Sequence, residues 1–478
     1  GTHPTIKEKK LDSFHFEDYL DGTYRVIHKS GIIEILTTGG SDKDRVALPS
    51  RIYSPAGHCI NLTYASFMGG QRLQSISDAQ GELLLINREP DSHLIEILVR
   101  PYGGPGGTPL ARYEMKLNNS GWVTEIVLPT AEKASWRFGY GNGPIRGILC
   151  LHEVKTPVGG RETLEYADSG HPYPGGVSRP NLPRVTRHRI DPGFGQPEMV
   201  VNYSYTTKNF LGAGATVIWE DGMDPTYNLG SDFEYGTFST RTDRTGRTER
   251  KAEYRFNRFH LLIEQKTTQG HCVQRVATQY YADDRLFEQQ VPQFQLPKEA
   301  TTSWELDNDS TKYRTEITLT AFDEQGNQTE QTEPNGIKTV YTYYPKEASD
   351  GCPADPHGFV RSLKETTVFP SPDGEGEGEG DALAPTLRTR LRYEALKPLA
   401  NSDLKDWLVN TSETLLQVEG TTETQLQQTL RTYNELPNDV FLHSRPSSQR
   451  VTLNGNTSVS EYAYRLLNSA LAGETVLE

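Results

Sequence analysis

The stretch Ala321 to Tyr344, "AFDEQGNQTEQTEPNGIKTVYTYY", decides the fold. Gly326-Asn327 and Asn335-Gly336 supply the positive φ angles of tight hairpin turns. Between them "QTEQTE" alternates Thr with long polar side chains. After them Lys338, Val340, Thr342 and Tyr344 point one way, and Thr339, Tyr341 and Tyr343 the other. A period of two indicates strands. The stretch therefore reads strand, turn, strand, turn, strand.

The same grammar recurs along the chain. It is found in "YEMKLNNSGWVTEIVLPTAEKASWRFGY" (113–140), "YGNGPIRGILCLHEVKTPVGGRETLEY" (140–166) and "YRFNRFHLLIEQKTTQGHCVQRVATQYY" (254–281). Weaker copies begin at Tyr53 and Tyr433. The unit is an aromatic, a turn, a strand, a Gly turn, and a strand that often ends in Tyr, on the order of 20–30 residues. A lone hairpin is marginal in water, whereas a series of them buries a continuous face. The expected fold class is all-β, with antiparallel strand-turn-strand repeats winding into a spiral sheet.

Three regions break the rhythm. Residues 168–200 are rich in Pro and Gly and are expected to form a long ordered crossing loop. Residues 206–232 read as an insertion that caps one end or projects inward. Residues 370–385 hold alternating Gly and Glu, which repel one another and form no core, so a solvated loop is expected. "NSDLKDWLV" (401–409) is the best helix candidate.

Composition agrees. The chain has 478 residues, 35% hydrophobic, with 24 Tyr against 16 Phe, 43 Gly and 29 Pro. Few aliphatics with many Tyr, Thr and Gly suit short half-buried strands. The net charge of -14 argues against nucleic-acid partners. No apolar run approaches the roughly 18 residues of a membrane helix. The N-terminus carries no signal-peptide core, and residues 1–20 read as a leader or remnant before a repeat region over 21–478.

The residues offer little catalytic chemistry. Cys59, Cys150, Cys272 and Cys352 are far apart and form no CxxC, so neither a zinc ribbon nor a disulfide framework is indicated. The 12 His show no HExxH or HxH spacing, and no metal or cofactor is expected. Glu220-Asp221, Asp323-Glu324 and the acids of 373–381 match no calcium-loop spacing. Cys150 and His152 share a strand face, but a nucleophile and its base normally converge from different segments. The Gly-rich 102–109 and 138–144 lack the Lys-Ser/Thr end of a phosphate loop. Trp122, Trp136, Trp219, Trp304 and Trp407 are candidate platforms for sugar rings, against the plainer reading of ring packing within the sheet.

The run "FDEQGNQTEQTEPNGIKTVYTYY" resembles the YD repeat of Rhs proteins. Asp323, Gly326, Asn327, Gly336, Tyr341 and Tyr343 sit at the matching positions, and Phe322 stands where Tyr is usual. "GTYRVIHKSGIIEILT", "SPAGHCINLTY", "NLPRVTRHRIDPGFGQP" and "NFLGAGATVIWEDG" look like the N-terminal part of large bacterial Rhs-type, insecticidal-toxin-complex-like proteins. The resemblance covers residues 12–478. It implies a structural wall of a hollow β-cocoon that shields a C-terminal toxin cargo, delivered by type VI secretion or a toxin-complex machine. Such a wall is non-catalytic here and has as partners the missing shell half, the cargo and delivery proteins. The family's self-cleavage motif is not visible: "DPGFGQP" lies mid-chain without its neighbours. The chain is expected to be a piece of a longer polypeptide, cytoplasmic before delivery out of a bacterial cell. The alternative is a carbohydrate- or receptor-binding β module.

Overall fold

The computed structural model describes the chain apart from residues 1–3, 5, 7, 41–44, 89–91, 101–106, 146, 221, 244, 373–383, 469–474 and 478. The Gly-rich 102–109 in large part, Asp221, and the Gly/Glu run 373–381 thus lie outside the described residues. The fold is all-β. Twenty-nine strands hydrogen-bond antiparallel in one sheet, and Leu466–Asn468 with Thr475–Leu477 make a separate hairpin. The one helical element among the described residues is a 3-10 turn, Phe287–Gln289. The expected helix at 401–409 does not form. Residues 401–406 are irregular, Asp403 takes φ 53°, and Trp407 begins a strand opposite Leu396.

Eight connections share one turn. Gly326 N–H donates to Asp323 C=O (3.0 Å) and Asp323 N–H to Asn327 C=O (2.9 Å). The same two bonds recur at the turns opened by His28, Ser54, Asn118, Thr156, Asp243, Asn257 and Glu333. In six of the eight the first residue is Asp, Asn, Ser or Thr. Its side chain accepts the N–H of the fifth residue, as Asp323 Oδ1 does from Asn327 (2.7 Å). Such side chains mimic a backbone acceptor and favour the turn. The fourth residue is left-handed in each, with φ 78° at Gly326 and 81° at Gly336, whereas Asn327 and Asn335 are not. The positive φ belongs to Gly in seven of the eight turns and to His260 (φ 60°) in the turn opened by Asn257.

The closing tyrosines have a common function. Tyr64, Tyr166, Tyr205, Tyr280, Tyr343, Tyr433 and Tyr464 each donate the phenol hydroxyl to the carbonyl of a strand residue 15 to 23 positions earlier in the chain. Each ring thus ties its segment back to an earlier strand by satisfying a backbone acceptor there.

Two compact units divide the chain. The first holds Gly1–Ile86, Leu98–Leu110 and Thr320–Glu478. Its core gathers Ile27, Ile33, Ile35 and Tyr53 around Phe359. Phe14–Asp18, inside the stretch read as a leader, pairs with Thr23–His28. The second unit holds Asn87–Ile97 and Ala111–Leu319, with Phe259, Phe287 and Phe294 as its aromatic centre. Residues 168–200 are not one loop, because Val185–Asp191 is a strand paired on both sides. The described residues of 206–232 contain turns and no strand.

Candidate functional site

In the first unit the turn at 323–327 is a docking point for the N-terminal hairpins. Lys29 Nζ donates to Gln325 C=O (2.8 Å) and to Asn327 Oδ1 (2.6 Å), nearly 300 residues away. The Asn327 amide nitrogen donates to Asp323 Oδ2 (2.9 Å) and Val360 C=O (3.0 Å). Asn327 is buried and its amide is fully engaged, which explains Asn at this position. Burial depresses the Lys29 ammonium, while Asp323 and Asp12 oppose that.

The structure brings Asp323, Gly326, Asn327 and Tyr343 together around this turn. The Tyr343 hydroxyl donates to Gln328 C=O (3.0 Å), and burial raises its phenol, with Asp323 adding. Phe322 is half-buried at the head of the turn. Gly336 lies at the next turn, where an added Cβ would meet Pro372 at 2.9 Å. Tyr341 is half-buried opposite Thr366. These residues latch the turn to its neighbouring strands.

A related turn, with the Gly358 N–H donating to Asp355 C=O (3.2 Å) but the Asp355 N–H to Lys346 C=O (2.8 Å), completes the seam. Asp355 accepts the N–H groups of His357 and Phe359, and its carboxylate holds Arg361 Nε at 2.6 Å. Arg361 Nη1 donates to Lys29 C=O (2.6 Å), and His15 stacks on Phe359 at 4.2 Å. Gly57 passes so close to the chain at 399–402 that a Cβ would lie 2.8 Å from Leu399 N. Sequence reasoning missed Lys29, Phe359 and Arg361. The signal was the "DPHGF" of 355–359, which repeats the D-x-x-G spacing of the turn at 323–327.

The seam predicts a pH dependence. Burial, with Lys405 and Arg361 nearby, holds the His357 imidazole down to about 4. Unfolded, it titrates near its ordinary value of 6.5. Between these values the unfolded chain binds the extra proton, so the contribution of His357 is full above the higher value and is lost as pH falls toward the lower. His58, also lowered by burial, acts in the same direction. Urea midpoints measured from about pH 7 to about pH 4.5 should fall for the native chain and fall less for His357→Gln. An equal slope in the variant would contradict this.

In the second unit, the residues drawn from 206–232 and 257–290 form a polar knot. Asp224 Oδ2 meets His260 Nε2 at 2.7 Å, and His260 Nδ1 meets the Tyr235 hydroxyl at 2.8 Å. Burial opposes the Asp224 charge, but the bonds from His260 and Thr226 outweigh it and hold the carboxyl below its usual range. Burial instead pushes the Tyr235 phenol upward, so the array does not generate a phenolate. Beside it Arg258 is 2% exposed and donates to the carbonyls of Leu229, Asp283 and Arg285. The insertion is thereby tied to the Asn257 turn.

The remaining candidates are separate. Cys150 is buried, which raises its thiol, while His152 packs its ring edge-on against Tyr166 at 5.3 Å. Among the described residues no three His, Cys, Asp or Glu converge as a metal site. No helix of the structure is long and apolar enough to cross a membrane.

Register reveals what the alternation alone did not: the sheet of the second unit has two chemically different faces. One carries ion pairs across its strands. Examples are Lys116 and Arg137 to Glu125 (2.7 and 3.1 Å), Arg187 and Arg189 to Glu165 (3.8 and 3.5 Å), Lys266 to Glu253 (3.7 Å) and Arg275 to Glu264 (3.0 Å). The other face shows Met115, Ile126, Trp136, Phe138 and Val154 in its first strands. It continues as a straight cross-strand row, Tyr203, Ser239, Ala252, Thr267, Gln274, Trp304 and Arg314. Charge on this face is sparser: Glu162 with His188 (2.7 Å), Arg241 opposite Arg250, and Lys312, Arg314 and Glu316 along one strand. Most of these side chains are half-buried, so neither face is sealed as a core.

No family model matches the chain, and no curated protein matches its sequence. Among solved structures it is similar to TcdB2-TccC3 without the hypervariable C-terminal region, at 12% identity and a TM-score of 0.22, over 98% of this chain and 26% of that one. TcdB2-TccC3-TEV is similar at 10% identity and a TM-score of 0.18, over 98% and 30%. The N-terminal domain of effector protein SpvB from Salmonella typhimurium strain LT2 is similar at 11% identity and a TM-score of 0.17, over 69% and 93%. The chain thus spans 26% and 30% of the lengths of the first two.

Proposed function

We propose that this chain is a wall segment of a Rhs/YD-repeat shell that shields a toxin cargo of the same polypeptide before delivery out of a bacterial cell. The two-faced sheet carries the reading. An ion-pair ladder is favourable against water, where its charges stay solvated. A face of Tyr, Thr, Gln and aliphatic side chains offers contact and hydrogen bonds to a polypeptide without fixing one sequence. The repeated turns and tyrosine latches build such a wall from local pairings, each unit supported by its neighbours. In this proposal the segment performs no catalysis, and its knots and latches are structural.

The test is thiol labelling of the purified chain with a hydrophilic maleimide, in a Cys272→Ser background because Cys272 is exposed. Ser239→Cys probes the sparsely charged face and Thr240→Cys the ion-paired face one residue on. Both should label at comparable rates. Labelling of Thr240→Cys with protection of Ser239→Cys would mean that the sparsely charged face is a closed core, and would overturn the wall reading.

A further inference from the structure

At one margin of the sparsely charged face the chemistry changes. Thr267, Gln274, Trp304 and Arg314 stand directly opposite one another on four neighbouring strands. They line a groove of about 560 Å³, which Lys312 and Gln269 also border. Trp304 is 36% exposed, and the Arg314 guanidinium lies 5.6 Å from its ring centroid. Glu305 and Tyr313 also border the groove, but by register they pair with each other on the opposite face of the sheet and stand outside this row. Glu316 contacts Arg314 and is the acid that shares this face.

We infer that this groove binds an acidic saccharide, with a uronate-type residue stacked on Trp304. An indole presents a flat apolar platform to the C–H face of a sugar ring. The Gln274 amide and Thr267 hydroxyl beside it supply donors and acceptors for ring hydroxyls. Arg314, a planar guanidinium with donors left over from Glu316, fits a carboxylate in two-pronged fashion, and Lys312 adds a second positive charge. Two cations at one groove of a chain with net charge -14 favour an anionic ligand over a neutral one. Of the five tryptophans, Trp304 combines exposure, an adjacent guanidinium and a groove. Trp122 instead packs at 5.6 Å from Tyr140, and Trp219 meets Tyr173 edge-on at 5.1 Å.

The experiment is isothermal titration of the full chain with tetragalacturonate and with its neutral methyl ester. The acid should bind at least about tenfold more tightly, the scale of a charge-assisted hydrogen bond. Trp304→Ala should abolish binding of both while the chain still unfolds cooperatively in urea. Arg314→Gln should erase the preference for the acid and leave the weak binding of the ester. Equal affinity for acid and ester, no binding of either at millimolar concentration, or full binding by Trp304→Ala would overturn the assignment. None of these outcomes bears on the labelling that tests the wall.

Discussion

Arg258→Ala should lower the unfolding free energy of the second unit by about 3–5 kcal/mol. The guanidinium is 2% exposed and its donors satisfy the carbonyls of Leu229, Asp283 and Arg285. Truncation leaves those acceptors without partners and opens a void beside the Phe259 ring, over which the guanidinium sits at 4.5 Å. Arg258→Lys should recover only part of the loss, because one ammonium cannot reproduce the planar fork. Urea unfolding followed at the aromatic cluster measures this. A loss below about 1 kcal/mol would show that the knot between the insertion and the Asn257 turn is dispensable.

Phe359→Ala should cost about 3–5 kcal/mol, the range for truncating a large buried aromatic ring. Phe359 is 1% exposed, packs against Ile27, Ile33, Ile35 and Tyr53, and stacks on His15. The place of the effect matters as much as its size. These hairpins and the loop at 355–361 are far apart in sequence, and Phe359 closes that long-range contact. Hydrogen exchange should therefore accelerate in Ile33–Gly39 and Val46–Tyr53 and stay unchanged in Thr248–Asn257 of the second unit. Uniform acceleration along the chain would contradict a seam with local effect.

Much of the fold was legible because its rules are local. A turn opened by Asp, Asn, Ser or Thr and closed by Gly needs only five residues to specify, and period-two alternation marks the strands on either side. The Asp323, Gly326 and Asn327 positions could thus be named from sequence. Three features could not. The seam of Lys29 with Asn327 joins segments nearly 300 residues apart, and no local pattern encodes it. The spacing of Leu404, Trp407 and Leu408 imitates a helical stripe, yet pairing of Trp407 with Leu396 outweighs propensity. The two faces depend on register, and bulges such as those at Gly139/Tyr140, Glu165/Tyr166 and Arg255/Phe256 reset which side chains share a face. Alternation within a strand is therefore readable, while its continuation across a dozen strands is not.

The chemistry of the candidate site divides in the same way. Sequence named the tryptophans but could not rank them, because the rank rests on what stands across the strand. Gln274 and Arg314 flank Trp304 only through pairing.

Solution scattering of the purified chain tests the wall most directly. A compact 478-residue protein has a radius of gyration of about 23 Å. A curved wall with two solvent-facing sides predicts a clearly larger value, a folded-protein scattering profile, and a pair-distance distribution weighted toward long separations. A radius near about 23 Å with a symmetric distribution would describe a solid particle and contradict the account.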